Sequence, residues 1–218
     1  MSKIYLYLIT AILFSACSLE PIPNLWKYKS ANAFNSYTNN YLRSNDILAK
    51  NDLKTAIKHA KMGSDLTALS RIYLGVCALN ISIGEEQECN NYKNISDVAN
   101  SNELDAYYSL ITSNIQKEQI NLLPKKYQNF AVNLYNKNFL KANDDILNMK
   151  KATSQLLAAA LIKDKVTKET RDTIIDVASF NGYKKAVIFW LGEAREATND
   201  KHEKQKISKK ISILESDE

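Results

Sequence analysis

Apolar residues return every three or four positions along most of this chain, the period of a helix face packed on a core. From Ser30, the residues Phe34, Tyr37, Tyr41 and Leu48 share one face, and Asn51-Asp52 reads as a turn. Leu53, Ala56, Ile57 and Ala60 form the next stripe, and Gly63 stands where a helix-ending glycine would stand. Leu69, Ile72, Tyr73, Val76 and Cys77 predict a further helix, ended near Gly84, and Glu85 to Ile95 is a polar connector. Leu104, Tyr107, Tyr108 and Ile111 make one stripe. Pro124 opens another with Tyr127, Phe130, Ala131 and Leu134, and Phe139, Ala142, Ile146 and Met149 follow.

Leu156 to Ile162 is apolar on most sides yet too short to span a bilayer, which predicts the most buried helix. Thr167 is placed to cap a helix with Ile174, Val177 and Ala178, broken by Gly182. Ala186, Phe189, Trp190 and Ala194 continue it. A last helix after Asp200 turns Ile207, Ile211 and Leu214 inward and its lysines outward. The expected class is all-α, built from antiparallel helical hairpins. Only five Gly and three Pro among 218 residues leave little punctuation for a β-rich fold.

One local pattern recurs. Asn51-Asp52-Leu53-Lys54-Thr55-Ala56 reappears as Asn181-Gly182-Tyr183-Lys184-Lys185-Ala186, with a looser copy at Asn138-Phe139-Leu140-Lys141-Ala142. A turn residue precedes a large apolar residue that plugs the hairpin end, and the alanine lets two helices approach closely. The pattern resembles the tetratricopeptide helix-turn-helix unit, best over residues 30 to 63 and 168 to 198. The resemblance implies a solenoid of hairpins; an irregular helical bundle is the other arrangement such turns can build.

The N-terminus carries a different signal. Lys3 precedes Ile4 to Phe14, eleven mostly apolar residues, and Ser15-Ala16-Cys17 follows at once. The run has the length of a secretory signal, short of the roughly 20 residues of a spanning helix. Two small residues before a cysteine resemble the lipobox of bacterial lipoproteins. That resemblance implies cleavage between Ala16 and Cys17, a diacylglycerol on Cys17 and usually a third acyl chain. It predicts a signal over residues 1–16, an extended lipidated tether over 17–29 bearing Pro21 and Pro23, and one helical domain over 30–218. Two or three chains make attachment effectively permanent, at about 0.8 kcal/mol per buried methylene. Ser18 after the cysteine resembles the outer-membrane default, facing the periplasm.

Charge adds little. The formal net charge of +5 falls to +4 without Lys3 and does not point to nucleic acid. In an exported chain with Cys17 assigned to lipid, Cys77 and Cys89 are the expected disulfide.

Catalytic and metal signatures are missing from the sequence. His59 and His202 fall on different predicted helices, and no phosphate-binding glycine loop or Gly-x-Ser-x-Gly elbow is present. Glu85, Glu86 and Glu88, and the pair Asp144-Asp145, read as solvated acids. No cofactor is expected beyond the lipid on Cys17. The expected role is a non-enzymatic, membrane-anchored scaffold for an envelope protein partner, with Tyr37, Tyr41, Tyr107, Tyr108 and Trp190 as candidate anchors. A peptidoglycan-acting enzyme and a surface-exposed lipoprotein are the alternatives.

Overall fold

In the computed structural model, which describes residues 24–85 and 88–216, helix α1 runs over Leu25–Leu42. It takes in residues 25–29 of the expected extended tether, and its buried face explains why. Trp26, Ser30, Phe34, Tyr37 and Tyr41 follow one another at spacings of three and four, so the stripe begins at Trp26. The Trp26 ring covers Gly63, where an added Cβ would overlap it, and Ser30 Oγ donates to the Ala56 carbonyl at 2.9 Å. Ser15, Ala16 and Cys17 lie outside the described residues.

Helix α2 (Asp46–Met62) returns along α1, with Ala49, Ala56 and Ala60 buried so that the two backbones can close. Helix α3 (Leu66–Ser82) leads to two single-turn helices, α4 (Asn90–Lys93) and α5 (Ser96–Ala99), then α6 (Asn102–Ile111). A 3-10 segment (Lys117–Leu122) precedes α7 (Lys125–Tyr135), α8 (Phe139–Leu147) and α9 (Ala152–Leu161). The chain ends with α10 (Lys168–Phe180), α11 (Lys184–Ala197) and α12 (Lys201–Glu215), and no strand occurs among the described residues. The all-α class is as expected.

One backbone device folds these helices back. Helices α1, α2, α3, α6, α7 and α10 are followed by a residue at positive φ: Ser44, Ser64, Gly84, Ser113, Lys137 and Gly182. The next N–H then reaches the carbonyl five residues earlier, as in Asn45 to Asn40, Asp65 to Ala60, Asn138 to Asn133 and Tyr183 to Ala178. This arrangement satisfies carbonyls that the helix end leaves free and reverses the chain within two residues.

These turns correct three expectations. Asn51-Asp52 is no turn; the chain has already reversed at Ser44, and Asp52 accepts from Asn40 Nδ2 across the hairpin at 2.7 Å. Leu48 therefore sits on α2, not with Tyr37 and Tyr41, and is 55 % exposed. Gly63 has a right-handed φ of −82°; the left-handed residue is Ser64, and Gly63 is small because Trp26 needs the space. The other two copies, at Asn138 and Asn181-Gly182, do stand at hairpin turns.

The apolar run after Ala152 forms the centre. Leu156, Leu157, Ala158 and Ala159 of α9 are buried, packed against α3, α8 and α10. At the far end the chain closes on its beginning. Tyr183 Oη donates to Asn39 Oδ1 at 3.1 Å, and Arg43 Nε donates to the Asn181 carbonyl at 3.3 Å. Lys185 lies 2.7 Å from Asp46 and 4.1 Å above the Tyr41 ring. Repeats in an open solenoid touch only their neighbours, whereas here α11 packs on α1.

The polar connector is pinned at Cys89 and at Tyr92. Cys77 of α3 and Cys89 before α4 have Cα atoms 5.5 Å apart with their sulfurs at bonding distance. Tyr92 follows, buried, its hydroxyl donating to Asp105 at 2.5 Å.

Lys137 is exposed at φ 55°, where its Cβ strains the backbone. Lys137→Gly should therefore raise stability by about 1 kcal/mol in urea titration; destabilisation would show that the side chain matters more than the turn. Replacing Cys77 and Cys89 together by Ala should cost the oxidised protein about 2–3 kcal/mol. An unchanged urea midpoint would contradict the cross-link.

Candidate functional site

A cleft of about 420 Å³ opens where α3, α6 and the start of α7 meet. Its floor follows from three amphipathic faces that converge without filling the space. Leu74 comes from α3, Leu104 and Tyr107 from α6, and Tyr127 from α7. Gly75 lines it too, with the Phe34 ring filling the place a Cβ would take. The fourth wall is Leu122-Leu123-Pro124: Leu123 is buried in the core, while Leu122 stays 41 % exposed at the rim.

That wall comes from a stretch without helical period. Between Thr112 and Leu123 the helix pattern lapses, yet Ile115, Ile120 and Leu123 are buried. The spacing of three between Ile120 and Leu123 fits the 3-10 segment beside them and was the available sign.

The rim is charged with both signs. Arg71 and Lys126 flank Glu103, whose carboxyl is held below its usual range by its own backbone N–H and by the Ser101 hydroxyl. Lys126 Nζ stands 4.8 Å over the Tyr127 ring. Tyr107 and Tyr127 have ring centroids 5.8 Å apart, and burial pushes both hydroxyls up, Tyr107 well above its ordinary value. Neutral phenols and an apolar floor suit an apolar guest edged by a polar contact.

Of the five candidate anchors, only Tyr107 lines this cleft. Tyr37 is 4 % exposed and Trp190 is fully enclosed, so both are core residues and cannot meet a partner. Their wide rings belong to the stripes that bury α1 and α11, which is what placed them among the candidates. Tyr41 donates to Asn80 Oδ1 at 2.6 Å beneath Lys185, and Tyr108 packs on Tyr92 with centroids 5.4 Å apart.

The described acids do not converge, and Glu86 lies outside the described residues. Asp144 is exposed, and Asp145 accepts from Asn133 Nδ2 at 2.7 Å. Glu85 and Glu88 are exposed on the connector. Among the described residues no three His, Cys, Asp or Glu side chains gather as metal ligands, and no helix is long and apolar enough to cross a membrane.

The tyrosines set an alkaline limit. Burial, with Glu85 nearby, pushes Tyr37 from 10.0 up to about 12, so the fold favours the neutral phenol. The stability this contributes is complete below pH 10.0 and is lost as pH rises toward the folded value, while the unfolded phenol ionises first. Urea midpoints should fall between pH 10 and 12 in the native chain and fall less in Tyr37→Phe; identical slopes would remove Tyr37 from the account.

Compared with protein-family models, with curated proteins and with solved structures, the chain matches none.

Proposed function

We propose that the chain is a lipid-anchored helical scaffold of the bacterial envelope that holds an apolar segment of a partner protein in the cleft between α3, α6 and α7. The anchor rests on the sequence alone, on the apolar run to Phe14 and on Ser15-Ala16-Cys17. The observation that supports the holding role is the cleft itself: a leucine and tyrosine floor beside Leu122, exposed at its rim. Exposed apolar side chains next to an unfilled apolar concavity are what a helix-in-groove or extended-peptide contact uses. The mixed rim of Arg71, Lys126 and Glu103 would set the orientation of the guest more than its affinity.

A photo-crosslinker at Leu122 in living cells should give one discrete adduct with an envelope protein. Tyr107→Ala should reduce its yield about tenfold, the loss of a buried aromatic contact worth about 1.4 kcal/mol or more. The same crosslinker at Phe180, which is 92 % exposed on α10, should give none. Adducts at Phe180 but not at Leu122 would place the partner elsewhere and overturn the reading.

A further inference from the structure

The wall that α6 gives the apolar cleft is tied to the Cys77–Cys89 bridge through one tyrosine. Cys77 belongs to α3, and Cys89 stands immediately before the single turn of α4. Tyr92 of α4 is buried, and its hydroxyl donates to Asp105 of α6 at 2.5 Å. Its ring packs on Tyr108 of α6, with centroids 5.4 Å apart. Asp105 and Tyr108 are spaced by three and share one face of α6. Leu104 and Tyr107, each one residue earlier, share the neighbouring face and line the cleft. The two faces lie about 100° apart round the helix, so a shift of one carries the other.

Little else holds the chain between the bridge and α6. Among residues 88–103 only Cys89 and Tyr92 are buried, with Ile95 half-buried against α2 and α3. Neither α4 nor α5 has a side chain capping its N-terminus, and single turns have too few hydrogen bonds to persist alone. Cys89 itself is held at φ 53°, a left-handed conformation that its Cβ opposes. The bridge thus fixes a segment that relaxes without it, and Tyr92 passes that constraint to α6. A small cleft of about 140 Å³ is lined by both cysteines, by Tyr73 and Val76 of α3 and by Asn90 and Asn91 of α4.

We infer that the Cys77–Cys89 bridge is a redox control on the apolar cleft: a dithiol that opens it releases α4 and Tyr92 and so loosens the α6 wall. One thiolate of the dithiol enters by the small cleft and attacks a bridge sulfur. The Cys77–Cys89 bond breaks, and the departing sulfur takes up a proton. The second thiolate of the dithiol then attacks the mixed disulfide. The dithiol leaves as its own internal disulfide, oxidised by two electrons, and Cys77 and Cys89 remain as thiols. That the change governs a guest rests on the proposed holding role of the cleft; the coupling between bridge and wall does not.

Hydrogen exchange on the full chain, oxidised and then reduced by dithiothreitol, tests the coupling with no guest present. Alkylation confirms by mass that both cysteines have been reduced. Amides of α9 report the general loss of stability, and those of α6 should speed up by about tenfold more than that. Reoxidation should restore the first pattern. Tyr92→Phe, which keeps the bridge and the ring but loses the Asp105 bond, should speed α6 severalfold in the oxidised protein. Cys77→Ala with Cys89→Ala should reproduce the reduced pattern without reductant, which removes any contribution from Cys17. A rise in α6 no larger than that in α9, or a bridge that dithiothreitol leaves closed in the folded chain, would overturn the inference. Absence of the Leu122 adduct in cells, with the α6 response intact, would remove the guest and leave the coupling standing.

Discussion

Every other feature of this protein depends on short helices being turned back on themselves within two residues. A left-handed residue after the helix, with the N–H beyond it bonded to the carbonyl five residues earlier, does this after α1, α2, α3, α6, α7 and α10. The turn satisfies the helix end while it reverses direction, so antiparallel neighbours need no long loops. Once they are side by side, small residues decide how close they come. Ala49, Ala56 and Ala60 let α2 lie against α1, and Gly63, Gly75 and Gly84 yield their Cβ positions to Trp26, Phe34 and Phe189.

From that packing the apolar cleft follows as a remainder. Helix α9 is apolar nearly all round and takes the centre, with α3 across it and α7, α8 and α10 beside it. Helix α6 meets α3 at an edge that the Leu122–Pro124 segment covers only in part, leaving the apolar cleft. Closure of α11 onto α1 through Tyr183, Arg43 and Lys185 sits at a different place and leaves it open.

Much of the helix content was legible because apolar period is a burial signal, and these helices are amphipathic. The Leu156–Ile162 run announced the centre, and Cys77 and Cys89 announced their proximity. The turns were not legible, because four of the six left-handed positions hold Ser or Lys, residues that carry no mark of positive φ. Asn51-Asp52 has turn chemistry in its letters, but the chain had already turned at Ser44, and the pair was absorbed into a helix and a cross-hairpin bond. The candidate site was legible only through Tyr107. Tyr37 and Trp190 resembled anchors for the reason that makes them core, a large ring on a helix stripe, and one chain's periodicity cannot separate the two. Leu122 carried no signal at all, since a rim position exists only once the helices have met.

The central claim is that the edge between α3, α6 and α7 is a binding surface held ready by a rigid α3–α9 core. Hydrogen exchange on the protein in whole-cell extract, compared with the purified chain, tests this most directly. The account predicts added protection of the amides from Ile120 to Tyr127 and in α6 while α9 stays equally slow in both. Added protection confined to α10 through α12, or none anywhere, would contradict it.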